Sequence, residues 1–291
     1  MELLPKPEHL QNLEYMRILT PYIFAYPLVI GRCVLEVGCS SGYGSWLLIK
    51  KKAERVLALD LDPTKFSQIS QLHTQYHNFN VLAMDAQRLG IKDHNFEVAT
   101  YFEVIEHVRQ PDMLLSEIRR VLRKDGVLLL TTPNRAVRLR PLQSPWNPEH
   151  LREYTLKTLH KKLQNHFPKF VVLGIYGEPK THNFYRRNWQ QSLFHIYFGW
   201  ALSIMKGFIP ESVKERIKIH LSHGNSTEVP GLEENVLDMV LPDADPRHWP
   251  FYVSDAQKHC LNFFAVCGFD GQVVQRAVME IKKLSNKGSH S

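Results

Sequence analysis

The chain has 291 residues and a mass of 33.9 kDa, with 44% hydrophobic and 22% charged residues. That balance excludes a disordered or collagenous polypeptide and allows a sizeable core. The formal charge is +7, but the excess is local: from Glu149 to His220 twelve Lys or Arg face five acids, whereas Leu221 to Pro250 is acidic. A basic middle suits phosphate, an anionic membrane or an acidic glycan, and equally a plain solvated face. Cys33, Cys39, Cys260 and Cys267 include no C-x-x-C pair, so neither a zinc clasp nor a disulfide framework is indicated, and a reducing cytoplasm is expected.

In chain order, MELLPKPEHL has no apolar stretch with a small-residue cleavage site and reads as a mature start without a secretory signal. HLQNLEYMRILTPYIF then predicts a leading helix, within residues 1–30, that covers the active-site side. From Gly31 to Gly177, short apolar runs alternate with amphipathic stretches. CVLEVG, RVLALD, FNVLAM, FEVATYF, GVLLLTT and FVVLGIY read as buried strands. YGSWLLIKKK, PTKFSQISQLHTQY and PDMLLSEIRRVLRK read as helices, two of them opened by Pro63 and Pro111, and the last is followed by Gly126. Strands alternating with crossover helices predict an α/β fold, a mainly parallel sheet covered on both faces.

The alternation stops over 178–258, which reads as a mostly helical insertion. Strand character returns with CLNFFAVCG, and the helix QVVQRAVMEIKKL and a polar tail complete 259–291. Within the insertion, Leu193 to Met205 is an apolar run of thirteen residues. It is short of the roughly 20 residues needed to span a bilayer. Arg186 and Arg187 precede it, and Lys206, Lys214, Arg216 and Lys218 follow it. The run therefore suits either a lid packed over a substrate cleft or a peripheral membrane contact.

The stretch LEVGCSSGYG does not supply the G-x-G-x-x-G spacing that receives a dinucleotide pyrophosphate. Glu36 also stands at the loop's edge, where a carboxylate repels phosphate but suits a ligand bearing ammonium and sulfonium charge. VLEVGCSSGYGSWLL resembles the first motif of class I S-adenosylmethionine-dependent methyltransferases, with Ser40 in place of one glycine. VLALDLDP, MDAQRL, VATYFEVIEHV and RVLRKDGVLLLTTPN resemble that family's later motifs, in order and at matching spacing. The resemblance implies a Rossmann-like seven-stranded sheet whose last strand is antiparallel. It implies S-adenosylmethionine as cofactor, held at Glu36, Gly38, Cys39, Ser40 and Gly42, with Asp60 on the ribose hydroxyls beside Leu61. Asp85 and the Ala86 N–H would take the adenine, with Phe102 at the end of the fourth strand. Taken singly, Gly38 and Gly42 could merely serve a tight turn, and Asp60 could cap a helix.

For a hydroxyl acceptor the chemistry must also take up a proton, and Glu106, His107 and His150 are the candidate catalytic groups. Glu103, Glu106, His107 and His150 are also similar to the metal-binding set of small-RNA 2′-O-methyltransferases, and ubiquinone-pathway O-methyltransferases carry a comparable E-x-x-E-H. That makes a bound divalent metal ion an alternative to a free base. The bland alternative is that these side chains cap a helix or tie a loop. NPEHLREYT is similar to a segment of bacterial methyltransferases associated with surface glycans, leaving Arg152 and Tyr154 either to position the acceptor or to fasten the loop. His73, His77, His160 and His166 sit at surface helical spacing.

The leading expectation is O-methylation of a small-molecule, glycan or lipid-linked substrate by a cytoplasmic enzyme. RNA ribose methylation and a non-catalytic cofactor-binding protein are the alternatives. A nucleic acid partner is less favoured because no recognised RNA module is present. The sequence carries no signal for oligomeric state.

Overall fold

The computed structural model describes residues 13–66, 76–139, 143–145, 147–183, 185 and 249–285. Helix α1 (Leu13–Val29) precedes β1 (Cys33–Val37), α2 (Tyr43–Lys50) and β2 (Arg55–Asp60). A 3₁₀ turn at Pro63–Lys65 leads on to β3 (Phe79–Ala83), β4 (Phe96–Phe102), α3 (Pro111–Val121), β5 (Leu122–Pro133) and the single turn α4 (Arg135–Arg138). Next come α5 (Leu156–Gln164), β6 (Lys169–Gly177), β7 (Phe251–Ser254), β8 (Asn262–Gly268) and α6 (Gly271–Ser285).

The strands form one eight-stranded sheet in the order β3-β2-β1-β4-β5-β8-β6-β7. Strands β1 to β5 pair in parallel, while β8 runs antiparallel to both β5 and β6. The expected count of seven is corrected to eight by β7, which lies inside the segment assigned to a helical insertion and pairs antiparallel with β6. Its four residues bury Phe251 and Val253 and leave Tyr252 exposed, an alternation too short to stand out in the sequence. A second correction concerns α3, which stops at Val121 instead of running to Lys124, because Leu122 is already extended and passes directly into β5.

The expectations for the apolar run Leu193–Met205, for its flanking Lys and Arg, and for most of the helix after Pro63 lie outside the described residues. No described helix is long and apolar enough to cross a membrane.

Side-chain alternation sends each strand into two layers. On one side Val34, Val98 and Phe264 pack with Leu19, Trp46 and Val278 under α1, α2 and α6. On the other, Leu35, Tyr101 and Leu128 pack with Leu115 and Leu159 under α3 and α5. From β1 the chain steps outward to β2 and β3, and from β4 it steps the other way to β5. The crevice outside the carboxyl ends of β1 and β4 is therefore the topological switch point where ligands of open α/β sheets bind.

Candidate active site

The loop leaving β1 is shaped by left-handed backbone. Gly38, Ser40 and Gly42 have φ of 78°, 48° and 85°. A Cβ on Gly38 would lie 2.5 Å from Val104 Cγ2, so a glycine is needed where the β1 loop passes the segment after β4. The Gly38 and Cys39 N–H groups donate to the Leu59 carbonyl at 2.7 and 3.0 Å. Asp60 then fastens the loop: its Oδ2 accepts from Ser40 N–H at 2.8 Å and its Oδ1 from Asp62 N–H at 3.0 Å. The glycine loop and the acid one strand over are thus brought together at the switch point. Leu61 beside them is 73% exposed, an apolar face open at the strand end. Asp85, also exposed, accepts from the Gln87 N–H at 2.9 Å and from its side-chain amide at 3.1 Å, which orients the carboxylate next to half-buried Ala86.

Glu36 is placed differently from the expectation that it meets a cationic ligand directly. It shares the face of Val34, the face that α1 and α2 cover, and is 1% exposed. Its Oε1 accepts from the Tyr22 hydroxyl at 2.7 Å and its Oε2 accepts from the Ser45 hydroxyl. Burial pushes its pKa up to about 7 against the opposing effect of those two hydrogen bonds, and the Asp60 charge adds to the rise. The reason is physical: period-two alternation points Glu36 into the layer beneath α1. Gly44 makes room for this arrangement, since a Cβ there would lie 2.2 Å from Tyr22 Cζ and 2.3 Å from Glu36 Oε1. Gly44→Ala is expected to lower stability by about 1–3 kcal/mol, the usual cost of overpacking a filled interior. Chemical denaturation measures it, and an unchanged midpoint would show that the contact relaxes.

At the end of β4, Phe102 packs edge-on against Tyr22 with ring centroids 4.9 Å apart. Glu103 follows with φ 55°, a conformation that non-glycine residues seldom adopt. Its Oε2 accepts from the Asn262 amide at 2.7 Å and pairs with Arg17 at 3.4 Å. Glu106, His107 and His150 each bring one potential ligand atom within 4.8 Å of the others. Glu103 is not in that group, so of the four residues proposed for a metal three are assembled and the fourth is held by Asn262 and Arg17.

Glu106 is fully buried; the Thr132 hydroxyl donates to its Oε2 at 2.9 Å, and its Oε1 has no hydrogen-bond partner among the described residues. Burial, then the nearby Glu103 charge, holds its pKa well above the carboxylate range. The two imidazoles meet edge to face at 4.7 Å. His107 Nδ1 lies 3.1 Å from the Glu149 carbonyl, and His150 Nδ1 lies 3.0 Å from Glu153 Oε1. Because both partners are acceptors, each Nδ1 carries a proton. Burial first, and then His150, push the His107 pKa below its ordinary value, so the ring is neutral at pH 7. Arg152 donates to the Val108 and Arg109 carbonyls, the Leu151 N–H donates to the Glu106 carbonyl at 2.9 Å, and buried Tyr154 bridges to Asn134. Arg152 and Tyr154 therefore fasten this loop to the sheet. His160 sits on α5 and His166 in the turn after it, where His166 Nε2 lies 2.9 Å from Asp112 on α3.

Tyr22, Ser45, Arg17, Asn262 and Glu153 lie among these residues without having been read from the sequence, as does buried Arg138, whose Nε lies 3.5 Å from Glu153 Oε1. Only Glu153 left a local signal, three residues after His150 in the sequence.

Residues 35–130 match the family described as "Methyltransferase domain". A probable S-adenosylmethionine-dependent methyltransferase of Mycobacterium tuberculosis is 31% identical over 172 residues, covering 59% of this chain and 61% of the relative. One of Mycolicibacterium smegmatis is 36% identical over 147 residues, covering 50% of this chain and 56% of the relative. The chain thus spans about three-fifths of the length of these relatives. A solved structure, a SAM-dependent methyltransferase from Thermotoga maritima, superposes with a TM-score of 0.49 at 14% identity, covering 89% of this chain and 96% of that chain.

Proposed function

We propose that this chain, which carries a class I S-adenosylmethionine-dependent methyltransferase domain, transfers the donor's methyl group to a hydroxyl of a small-molecule, sugar or lipid-linked acceptor. The observation that carries the hydroxyl reading is His107, just past the end of β4, whose Nδ1 lies against the Glu149 carbonyl, whose ring meets His150 edge to face, and whose pKa is lowered by burial. A hydroxyl acceptor needs a group to take its proton, and a neutral imidazole is suited to do so.

In the reaction, an acceptor oxygen lone pair forms the new bond to the methyl carbon. The carbon–sulfur bond breaks with its electron pair passing to sulfur, which leaves as a neutral thioether. The hydroxyl proton goes to His107 Nε2. Most of the rate enhancement asked of this chain is alignment, with the loop from Gly38 to Gly42 and Asp60 fixing the donor. Glu149 and Glu153 hold the two imidazoles in orientation.

A divalent ion also fits the same three residues. Glu106 offers a buried oxygen without a partner, and both histidines have Nδ1 held by a carbonyl or carboxylate, the usual support for a ligating imidazole. Such an ion would acidify the acceptor hydroxyl.

Isothermal titration of the purified chain with S-adenosylmethionine is expected to show one site, and absence of binding would remove the enzymatic reading. Tritiated methyl transfer into fractionated lipid, glycan, RNA and small-molecule extracts identifies the acceptor class. Label entering only RNA would replace the proposed acceptor with a nucleic acid.

A further inference from the structure

Tyr22 spans the switch point from the α1 side. Its ring packs edge-on against Phe102 at the end of β4 and against Tyr43 at 5.8 Å, while its hydroxyl donates at 2.7 Å to Glu36 near the end of β1. It is 8% exposed, and Gly44 leaves the space it fills. Glu36 thus has two hydroxyl donors on two helices, Tyr22 on α1 and Ser45 on α2. The other titratable groups around the pair are Asp60 on β2, Cys39 in the loop and Tyr43 at the start of α2.

We propose that Tyr22 is a positioning residue of the donor site, its hydroxyl fixing the negative charge on Glu36 so that the site favours the sulfonium donor over the neutral thioether product. This rests on the methyltransferase reading above. Burial opposes the charge on Glu36, and the hydrogen bonds from Tyr22 and Ser45 favour it. The Tyr22 phenol is held well above its ordinary pKa by burial and by Glu36, so it remains a donor throughout the working range. S-adenosylmethionine carries a sulfonium charge that S-adenosylhomocysteine has lost. By linkage, ionisation of Glu36 and donor binding must strengthen each other by the same factor.

The sign follows from the raised pKa. Below about pH 7 Glu36 takes up a proton and the donor's advantage fades; above it the advantage is complete. The ratio of product to donor dissociation constants isolates this effect, because both ligands carry the same amino and carboxylate groups.

The test is calorimetric titration of the whole chain with S-adenosylmethionine and S-adenosylhomocysteine across about pH 5.5 to 8.5, a range that brackets the titration. In the wild type the ratio is expected to rise about tenfold with pH, the effect of about one pKa unit of coupling. Tyr22→Phe keeps the ring and removes the hydroxyl; it should move the midpoint upward by about one pH unit, as loss of a hydrogen bond to a charged group does. Ser45→Ala should move it in the same direction, and Glu36→Gln should flatten the ratio. A purely structural Tyr22 would weaken both ligands equally and leave the midpoint in place, which overturns the proposal, as does a flat ratio in the wild type. If the wild type binds neither ligand, the methyltransferase reading itself fails.

Discussion

Asp60→Ala is expected to raise the dissociation constant for S-adenosylmethionine by about 100-fold, equivalent to about 2.7 kcal/mol. The reason is that one carboxylate does two things at once. Its Oδ2 holds the Ser40 N–H, and Ser40 sits at φ 48°, a backbone state that needs external support in a residue with a side chain. Its Oδ1 holds the Asp62 N–H and so fixes the turn after β2. Each charge-assisted bond contributes roughly 1.5–3 kcal/mol. Removing both loosens the loop proposed to align the donor, in addition to removing the acceptor proposed for the ribose hydroxyls. Asp60→Asn retains one acceptor oxygen and turns an amide toward the other backbone donor, so its affinity should fall between wild type and alanine. Titration calorimetry measures the affinities, and denaturation of the unliganded variants separates loop destabilisation from lost ligand contacts. Wild-type affinity in Asp60→Ala would remove this residue from the donor site.

How far the site could be read in advance depends on how local its contacts are. Gly38 and Asp60 could be paired from the sequence because a turn, a helix and a strand of ordinary length separate them, and the structure closes that loop at Ser40. The direction of Glu36 was harder. Alternation puts it on the face of Val34, but whether that face is cleft or interior is decided by α1, a helix that packs in from outside the strand pattern. Tyr22 reaches Glu36 across a helix–strand junction, and Asn262 reaches Glu103 across 159 residues of chain; neither distance leaves a periodic trace. Edge strand β7 escaped notice for another reason, since four residues cannot establish a period. Glu103 shows the limit of motif spacing most plainly. E-x-x-E-H suggests three neighbouring ligands, yet the left-handed backbone at Glu103 turns it toward Asn262 and Arg17.

His107→Ala is expected to lower kcat by about 10²–10⁴-fold, the range for loss of a general base, while leaving the dissociation constant for S-adenosylmethionine unchanged. The split follows from position: the loop proposed to hold the donor is fastened by Asp60 and Leu59, and among the described residues none of its hydrogen bonds involves His107. In the wild type, burial and His150 push the His107 pKa down, so the acid limb of the kcat profile should lie below the ordinary histidine range. Activity is lost as pH falls through that value, because the protonated ring can no longer accept the hydroxyl proton. The same series separates a free base from a metal ligand. If His107 acts alone, His150→Ala should cost much less than His107→Ala, since His150 only flanks it edge to face. Equal losses in His107→Ala, His150→Ala and Glu106→Gln, with wild-type turnover abolished by a chelator and restored by a divalent ion, would assign the three side chains to one ion. A His107→Ala variant with wild-type kcat would end both assignments, and the cluster would then be a structural tie between β4 and the loop that follows α4.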